Sequence, residues 1–152
     1  MIVWRISNYL TLDGVGGLKA SGRWHSRGRP IVYCALEPAS ALLEMLVCLE
    51  IDMQDWPTTY RLLKIEIPDA IGRERLPLRT LPAGWRGDPG ATRRIGDDWL
   101  LKGRSAVLLV PSAIVPVAES VLINPAHAKA ADIRLLQSQK HALDPRLVRA
   151  AP

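Results

Sequence analysis

The sequence predicts an α+β fold, in which one domain is built on a mainly antiparallel central sheet. The chain has 152 residues, a length that suits one compact domain with its own core. Its hydrophobic fraction of 48% and charged fraction of 23% are ordinary for a globular protein. Short β-branched runs and helical segments follow one another without the regular strand–helix–strand repeat of a parallel sheet. We therefore expect residues 1–152 to form a single domain of this class.

The first two strands are predicted at residues 1–6 and 31–35, because both runs are short, apolar and β-branched. A turn at residues 28–30 precedes the second strand. The connection between the two strands contains Gly14, Gly16, Gly17 and Gly22. This composition favours a loop that is not helical and is too long for a tight hairpin, and such loops tend to carry function.

A helix is predicted to follow the second strand. Pro38 suits the first helical turn, and strong helix formers continue over residues 39–50 until Asp52. Because this segment is apolar almost all round, we expect it to be mostly buried.

The middle of the chain predicts a strand, an irregular segment and a second helix. Residues 58–67 alternate between apolar and polar side chains, as a half-buried strand does, and Pro68 ends them. Three prolines and four glycines interrupt residues 72–90, which predicts a long irregular segment crossing the surface near a site. A helix is expected over residues 88–101, closed by Gly103.

The last third of the chain predicts further strands, over residues 105–110, 115–117 and 120–123. The tail over residues 133–148 fits either a strand pair or a helix.

The charge balance favours anionic ligands. The net charge is +5, and fifteen of the twenty cationic residues are arginine, whose planar guanidinium suits phosphates and carboxylates. Residues 72–104 hold eight of the cations against four acids. This stretch is either a solvated face or a surface for nucleic acid, an acidic protein or a dinucleotide.

Composition and motifs argue against several classes of protein. No apolar run reaches the roughly 20 residues of a bilayer span, and no secretory signal is visible, so we expect a cytoplasmic protein. Cys34 and Cys48 lie in apolar stretches, which is untypical of a disulfide framework. The three histidines lack the ligand spacing of a zinc site, so no metal is expected. The chain contains no P-loop, dinucleotide fingerprint or hydrolase elbow.

A few polar residues stand out as candidates for chemistry. Glu44 lies in an otherwise apolar helical run, so its carboxylate must face solvent, a cation or a cleft. An ordinary exposed glutamate is the simplest alternative. Tyr33 is either a core aromatic or a site residue, and Arg23 either binds a ligand or stacks on the neighbouring tryptophan. Ser112 and Asn124 are each in the first place turn residues.

Seven short segments form a recognisable pattern over essentially the whole chain. They are Trp4-Arg5-Ile6, Gly22-Arg23-Trp24, Gly28-Arg29-Pro30-Ile31-Val32-Tyr33, Ala41-Leu42-Leu43-Glu44, Val110-Pro111-Ser112-Ala113, Leu122-Ile123-Asn124-Pro125-Ala126-His127 and Asp144-Pro145-Arg146-Leu147. In this order they resemble the RES-domain family, the toxins of bacterial RES–Xre type II toxin–antitoxin systems. The family is named for an arginine, a glutamate and a serine, which match Arg23, Glu44 and Ser112.

The resemblance implies a fold related to ADP-ribosyltransferases and an enzyme that binds NAD as its substrate. Such an enzyme cleaves the bond between nicotinamide and ribose, with glycosyltransferase or glycohydrolase chemistry. It depletes NAD by hydrolysis or, as an NAD phosphorylase, by phosphorolysis. As a mono-ADP-ribosyltransferase it instead transfers ADP-ribose to a protein target. No metal is implied.

The resemblance also implies roles for individual residues. Departure of nicotinamide leaves an oxocarbenium-like ribose, whose charge Glu44 would stabilise. Arg5 and Arg23 would clamp the diphosphate or the neighbouring ribose, and Tyr33 would stack on the nicotinamide ring. Hydrogen bonds that fix the pose of NAD would come from Ser112 and Asn124. The expected catalytic residues are thus Glu44, Arg23 and Tyr33, and the expected NAD-binding residues are Arg5, Arg23, Tyr33, Ser112 and Asn124.

Two positions depart from the family pattern. His25 replaces the asparagine that often follows the Arg-Trp pair, and Cys48 replaces a histidine that often lies four residues after the glutamate. Neither change affects the proposed charges. Both could alter which acceptor attacks C1′ of the ribose, whether water, phosphate or a protein side chain.

The resemblance further implies a cognate antitoxin of the Xre type, with a helix-turn-helix DNA-binding domain. Its terminal segment would plug the NAD cleft, where a carboxylate could reach Arg5 or Arg23 in the manner of a phosphate. A toxin dimer within the complex is also implied. Neither a membrane partner nor direct binding of nucleic acid by this chain is expected.

Two functions of other classes stay open on the residues alone. A basic ribonuclease or RNA-binding module without NAD chemistry would use the pI near 9.6, the arginines of residues 73–104 and the five tryptophans. The other is a non-catalytic partner of a DNA-binding protein.

Overall fold

The computed structural model describes residues 1–48 and 57–148. Its strands are β1 Ile2–Ile6, β2 Val32–Ala35, β3 Thr59–Glu66, β4 Arg73–Arg75, β5 Val107–Pro111, β6 Glu119–Ile123 and β7 Arg134–Ala142. Its α-helices are α1 Gly16–Lys19, α2 Pro38–Cys48 and α3 Pro89–Lys102. Short 3-10 helices lie at Leu78–Thr80, Ala128–Asp132 and Pro145–Val148.

The strands form one sheet in the order β4-β5-β6-β2-β1-β3-β7. Every neighbouring pair is antiparallel except β4 and β5, which are parallel. The central strand β1 places Trp4 opposite Ala35 on one side and opposite Lys64 on the other. The predicted α+β class with a mainly antiparallel sheet is therefore confirmed.

The core lies on both faces of the sheet. Val107 and Leu109 of β5 belong to one buried cluster, whereas Leu108 and Val110 belong to a second, which also contains Trp99 of α3. Successive side chains of a strand point to opposite faces. Because both faces of β5 are covered, its sequence is a continuous apolar run instead of an alternating one.

The ends of α3 lie where the sequence predicts them. Asp88 caps the N-terminus by accepting a hydrogen bond from the Ala91 amide at 3.1 Å. Gly103 closes the C-terminus in the left-handed conformation, with φ of 55°. The helix starts and stops as its local signals require, and this fixes the position of the side chains that α3 presents to the neighbouring loop.

Three predicted elements differ from the structure. The glycine-rich connection contains the single-turn helix α1, and the segment predicted to be irregular contains β4. Residues 115–117 form a turn instead of a strand, because Pro116 has no amide to donate and the Ala118 amide bonds back to the Val115 carbonyl at 2.9 Å. The tail, for which two alternatives were open, forms neither a strand pair nor an α-helix: it is the single strand β7 followed by a 3-10 helix.

The prediction that the helix after Pro38 is mostly buried is wrong. Only Ala41 of α2 is fully buried, while Leu43 and Val47 are 37% and 60% exposed. The helix packs on β1 and β2 and leaves its outer side uncovered by the residues that the structure describes. The predicted end of this helix, at residues 49–52, lies outside the described residues.

Two further expectations concern the membrane and the cysteines. Within residues 1–48 and 57–148, each helix is too short or too polar to cross a bilayer. Cys34 is buried, Cys48 is exposed, and neither forms a disulfide.

Candidate active site

A cavity of about 380 Å³ opens beside the ends of β1 and β2, between these strands, α2 and the loop after α1. Four of the residues singled out in the sequence, Arg5, Arg23, Tyr33 and Glu44, line it. The other lining residues are Trp4, Ile6, Gly22, Cys34, Ala35, Ala41, Met45, Cys48 and Ser120. Residues distant in the sequence thus converge on one hollow that contains both charge signs.

Glu44 projects from α2 and is held through one of its two carboxylate oxygens. The Ser112 hydroxyl donates to Oε1 of Glu44 at 2.9 Å, and the Ser120 hydroxyl lies 3.4 Å from the same oxygen. The second oxygen, Oε2, accepts no hydrogen bond from the residues that the structure describes. The carboxylate is therefore held through one oxygen, and the residue itself lines the cavity.

Tyr33 forms a rigid part of the wall because its hydroxyl is bonded twice. The hydroxyl accepts from the Trp24 amide at 3.0 Å and lies 2.8 Å from Nδ1 of His25. Since Nε2 of His25 faces the Ala20 carbonyl at 3.0 Å, Nε2 carries the proton and Nδ1 accepts from Tyr33. Burial raises the pKa of the Tyr33 hydroxyl, so this hydroxyl stays protonated.

Gly22 is required beside this hydrogen-bonded pair. A Cβ built on Gly22 would lie 2.7 Å from the Tyr33 hydroxyl and 2.8 Å from Cε1 of His25. Any larger residue would push the tyrosine or the histidine away, so the glycine allows the loop to close over the pair.

The loop that carries Arg23 is fixed by α3. Thr92, fully buried, donates its hydroxyl hydrogen bond to the Arg23 carbonyl at 2.6 Å, and Nε of Arg93 donates to the Gly22 carbonyl at 2.8 Å. The Arg23 guanidinium itself donates to the Arg86 carbonyl at 2.9 Å. The main chain of Arg23 is thus fixed on one side and its side chain on the other.

Arg5 supplies a partly desolvated cation at the end of β1. Burial lowers the pKa of its guanidinium, and the nearby Cys34 and Asp13 oppose this effect. An arginine stays protonated in proteins all the same. Its one hydrogen bond among the described residues, to the Thr11 carbonyl, is 3.3 Å long. Arg5 is therefore a cation that an anionic ligand could satisfy.

Ser112 does not line the cavity. Its hydroxyl donates to Glu44 and accepts from the amides of Ile114 and Val115, both at 3.1 Å. One donor and two acceptors are all that a serine hydroxyl has. Ser112 therefore has no capacity left for a ligand, and its place in the structure is behind Glu44.

The structure does not bring Asn124 to the cavity, although the sequence predicts that it binds the ligand. Its side chain is 2% exposed; Nδ2 donates to the Leu100 carbonyl at 3.3 Å, and Oδ1 accepts from the Ala126 amide at 3.0 Å. Asn124 thus closes a turn after β6 and ties it to α3, which is the ordinary role of an Asn-Pro pair.

Sequence reasoning missed Ser120, Thr92 and Arg93. Ser120 is one of two adjacent polar residues, with Glu119, before the apolar run of β6, and this contrast marks the pair without showing which of the two faces the cavity. Thr92 and Arg93 act on main-chain carbonyls that are about 70 residues away along the chain. No local pattern identifies such contacts.

A second cavity, of about 490 Å³, lies between α3, β4 and β5 and shares no lining residue with the first. Most of its charges are already paired: Arg104 pairs with Glu74 at 3.3 Å and lies 3.8 Å from Asp98, while Arg75 pairs at 3.1 Å with Glu119, which lies outside the lining. The first cavity combines arginines, a carboxylate with one open oxygen and an aromatic wall, and it is the better candidate for chemistry.

The basic stretch of residues 72–104 offers less to RNA than its composition indicates. Four of its eight cations are in ion pairs. Trp24, Trp85 and Trp99 are buried in the core, so they cannot stack on bases. Trp4 lines the cavity, and Trp56 lies outside the described residues.

The described residues contain no group of three or more histidine, cysteine, aspartate or glutamate side chains that could hold a metal ion.

Comparison with known proteins shows the family of the chain. The model of the RES domain matches residues 2–144. The chain is 49% identical over 135 residues to a protein named Toxin Res from Pseudomonas putida (strain KT2440), covering 89% of this chain and 92% of the relative. It is 39% identical over 144 residues to the Prs ADP-ribosylating toxin from Sphingobium sp. (strain YBL2), covering 92% and 88%.

The fold matches a solved structure as well. The crystal structure of the M. tuberculosis MbcT–MbcA toxin–antitoxin complex superposes with a TM-score of 0.72 at 19% identity, over 97% of this chain and 86% of that chain. Together with the sequence matches over nearly the whole length, this shows that the chain belongs to the RES-domain family.

Proposed function

We propose that the chain is a toxin that binds NAD and cleaves the bond between its nicotinamide and its ribose. The observation that carries the proposal is the Glu44 carboxylate, which is held by Ser112 through Oε1 and lines a cavity together with two arginines. The names of two relatives, Toxin Res and Prs ADP-ribosylating toxin, support it.

The cavity suits one part of a dinucleotide in size and character. Small-molecule sites have volumes of roughly 300–1,000 Å³, and this one has about 380 Å³. The rigid ring of Tyr33 offers a face for nicotinamide, and the guanidinium groups of Arg5 and Arg23 would bind the diphosphate.

The chemistry follows from the charges. When the C1′–N bond of NAD breaks, its electron pair stays on nicotinamide and the ribose becomes oxocarbenium-like. A fixed carboxylate oxygen of Glu44 then stabilises the positive sugar, and because Ser112 already orients it, little reorganisation is needed. An oxygen nucleophile from water, phosphate or a protein attacks C1′ and loses its proton. The acceptor decides among a glycohydrolase, an NAD phosphorylase and a mono-ADP-ribosyltransferase.

The test is NAD consumption by the purified chain, with every product identified by mass spectrometry in the presence and absence of phosphate. Glu44→Gln should slow turnover by about a hundredfold or more, the scale on which electrostatic groups act in transition states. Glu37→Gln is the matched control, because Glu37 is exposed just before α2 and does not line the cavity. Turnover unchanged by Glu44→Gln, or altered equally by both variants, would remove Glu44 from the mechanism.

The proposal includes an antitoxin of the Xre type that occludes the cavity and a toxin dimer within the complex. The MbcT–MbcA structure, which contains a toxin with its antitoxin, supports the existence of a partner. An anionic segment of the partner would meet Arg5 and Arg23 at the cavity. Purified complex should be inactive and freed toxin active, and light scattering gives the stoichiometry. Equal NAD turnover in both would contradict occlusion.

A further inference from the structure

The hydroxyl of Ser120 lies at the cavity wall beside Glu44 and has hydrogen-bonding capacity to spare. Its Oγ is 3.4 Å from Oε1 of Glu44, beyond the usual range for a hydroxyl donor. It accepts no hydrogen bond from the residues that the structure describes. A serine hydroxyl has one donor and two acceptor sites, so Ser120 could accept from a ligand while it donates to the carboxylate.

The two serines next to Glu44 differ in this respect. All three hydrogen-bonding sites of Ser112 are taken, two of them by main-chain amides, and Ser112 lies outside the cavity lining. Ser120 has one long bond and faces the hollow. Ser112 therefore orients Glu44, whereas Ser120 can contact the molecule that Glu44 acts on.

The surroundings of Ser120 make its weak bonding conspicuous. The residue is 8% exposed and precedes the fully buried Val121, Leu122 and Ile123. Buried hydroxyls usually find a full-strength partner in the protein or in ordered water. The residue opposite Ser120 on β2 is Ala35, which also lines the cavity, and its methyl side chain offers the hydroxyl no hydrogen bond. An under-bonded hydroxyl that faces a cavity is suited to complete its bonds with a ligand.

We propose that Ser120 and Oε2 of Glu44 together bind two neighbouring hydroxyls of the substrate, the vicinal diol of the ribose next to nicotinamide. This inference rests on the proposed function. One sugar hydroxyl donates to Glu44 and the other donates to Ser120, which in turn donates to Glu44. Ser120 is then a residue that determines specificity, selecting a ribose with both hydroxyls over a sugar that lacks one.

The experiment compares three substrates with three proteins. The substrates are NAD and its two analogues that lack the 2′- or the 3′-hydroxyl on the nicotinamide ribose. The proteins are the wild-type chain, Ser120→Ala and the control Ser138→Ala. Ser138 lies on β7, outside the cavity lining, and accepts a hydrogen bond from Arg61 at 2.9 Å.

The wild-type chain should prefer NAD over each analogue by about tenfold in kcat/KM, the scale of one hydrogen bond. Ser120→Ala should lose this preference against one analogue and keep it against the other, whose missing hydroxyl is the one that Glu44 binds. Ser138→Ala should behave like the wild type. Preferences in Ser120→Ala that equal those of the wild type for both analogues would overturn the inference.

Two other outcomes are distinguished from failure of the Ser120 inference: no NAD turnover by the wild-type chain, and turnover by Ser120→Ala that is too slow to measure. If the wild-type chain leaves NAD intact, the proposed function fails and this inference fails with it. If Ser120→Ala is folded by circular dichroism but turns over too slowly, calorimetry gives the dissociation constants for NAD and both analogues. Equal constants for NAD and one analogue support the role of Ser120, and wild-type ratios overturn it.

Discussion

Replacing Gly96 by alanine is expected to weaken the fold and the candidate active site together. Gly96 lies on α3 where the helix backs onto the loop that carries Arg23. A Cβ at this position would overlap the Trp24 carbonyl oxygen and lie 2.8 Å from its carbonyl carbon. These are main-chain atoms that cannot rotate away, so the helix and the loop would have to separate. Overpacking costs typically 1–3 kcal/mol, and the better helix propensity of alanine returns about 1 kcal/mol. Because the new Cβ meets main-chain atoms, the upper end of the overpacking range applies, and the net loss of folding stability is about 2 kcal/mol.

For a domain of this size each kcal/mol lowers Tm by roughly 2–4 °C, so Gly96→Ala should lower it by about 4–8 °C. The KM for NAD should rise as well, because α3 fixes the Arg23 carbonyl through Thr92. Gly16→Ala is the matched control, since Gly16 is also helical and a Cβ there meets no atom within 4 Å. Thermal unfolding by circular dichroism and NAD consumption are the assays. A wild-type Tm for Gly96→Ala would refute direct packing of the helix on the loop, and a lower Tm with unchanged KM would refute its link to Arg23.

Three further results are expected. A maleimide should modify Cys48, which is exposed and lines the cavity. It should not modify Cys34, because burial raises the pKa of that thiol to about 12. NAD should protect Cys48, and labelling that is equally fast with and without NAD would argue against binding there. Burial lowers the pKa of His25 below its ordinary 6.5, so the unfolded chain binds a proton here more readily than the folded one. The stability contributed by neutral His25 is therefore lost as the pH falls below 6.5. Calorimetry should show that Tm declines less steeply from pH 7 to 5 in His25→Gln than in the wild type, and parallel declines would exclude the effect. Asn124→Ala should lower stability by about 1–3 kcal/mol through its two lost buried bonds without changing KM, whereas a raised KM at unchanged Tm would restore Asn124 to the site.

Local sequence signals were sufficient to predict the elements whose structure does not depend on a distant partner. The ends of α3 are set by Asp88 and Gly103, both within the helix's own sequence. The alternation of residues 58–67 predicts β3 because one side of that strand is buried and the other only partly. In both cases the physical cause of the structure lies in neighbouring residues.

Where the secondary structure of a segment depends on a distant partner, the sequence alone was insufficient to predict it. β4 has only three residues, two of them arginine, and it is a strand because it pairs with β5 more than 30 positions later. Val115 and Val117 have high strand propensity, but the turn around Pro116 overrides it and leaves Val117 94% exposed. In both cases strand pairing or turn formation overrides the local strand propensity.

The candidate site divides in the same way. The family resemblance indicated Arg5, Arg23, Tyr33 and Glu44, and the structure brings all four to one cavity. Ser120 was not predicted, because the sequence does not say which of two adjacent polar residues on β6, Glu119 or Ser120, faces the cavity. That depends on the register of β6 against β2.

The kind of charge in the cavity bears on which bond it could cleave. Among the cavity residues that the structure describes, Glu44 is the single carboxylate, and it lies with Arg5 and Arg23. An ordinary glycoside leaves as an alkoxide that must be protonated, which is why glycosidases typically use two carboxyl groups. Nicotinamide is already cationic in NAD and leaves as a neutral base, so it needs no acid. The two hydroxyl-bearing groups nearest Glu44 do not fill that role either, because Ser112 is fully bonded and Ser120 has the high pKa of an aliphatic alcohol. A site that can stabilise a positive sugar but supplies no second carboxyl fits the cleavage of NAD better than that of a neutral glycoside.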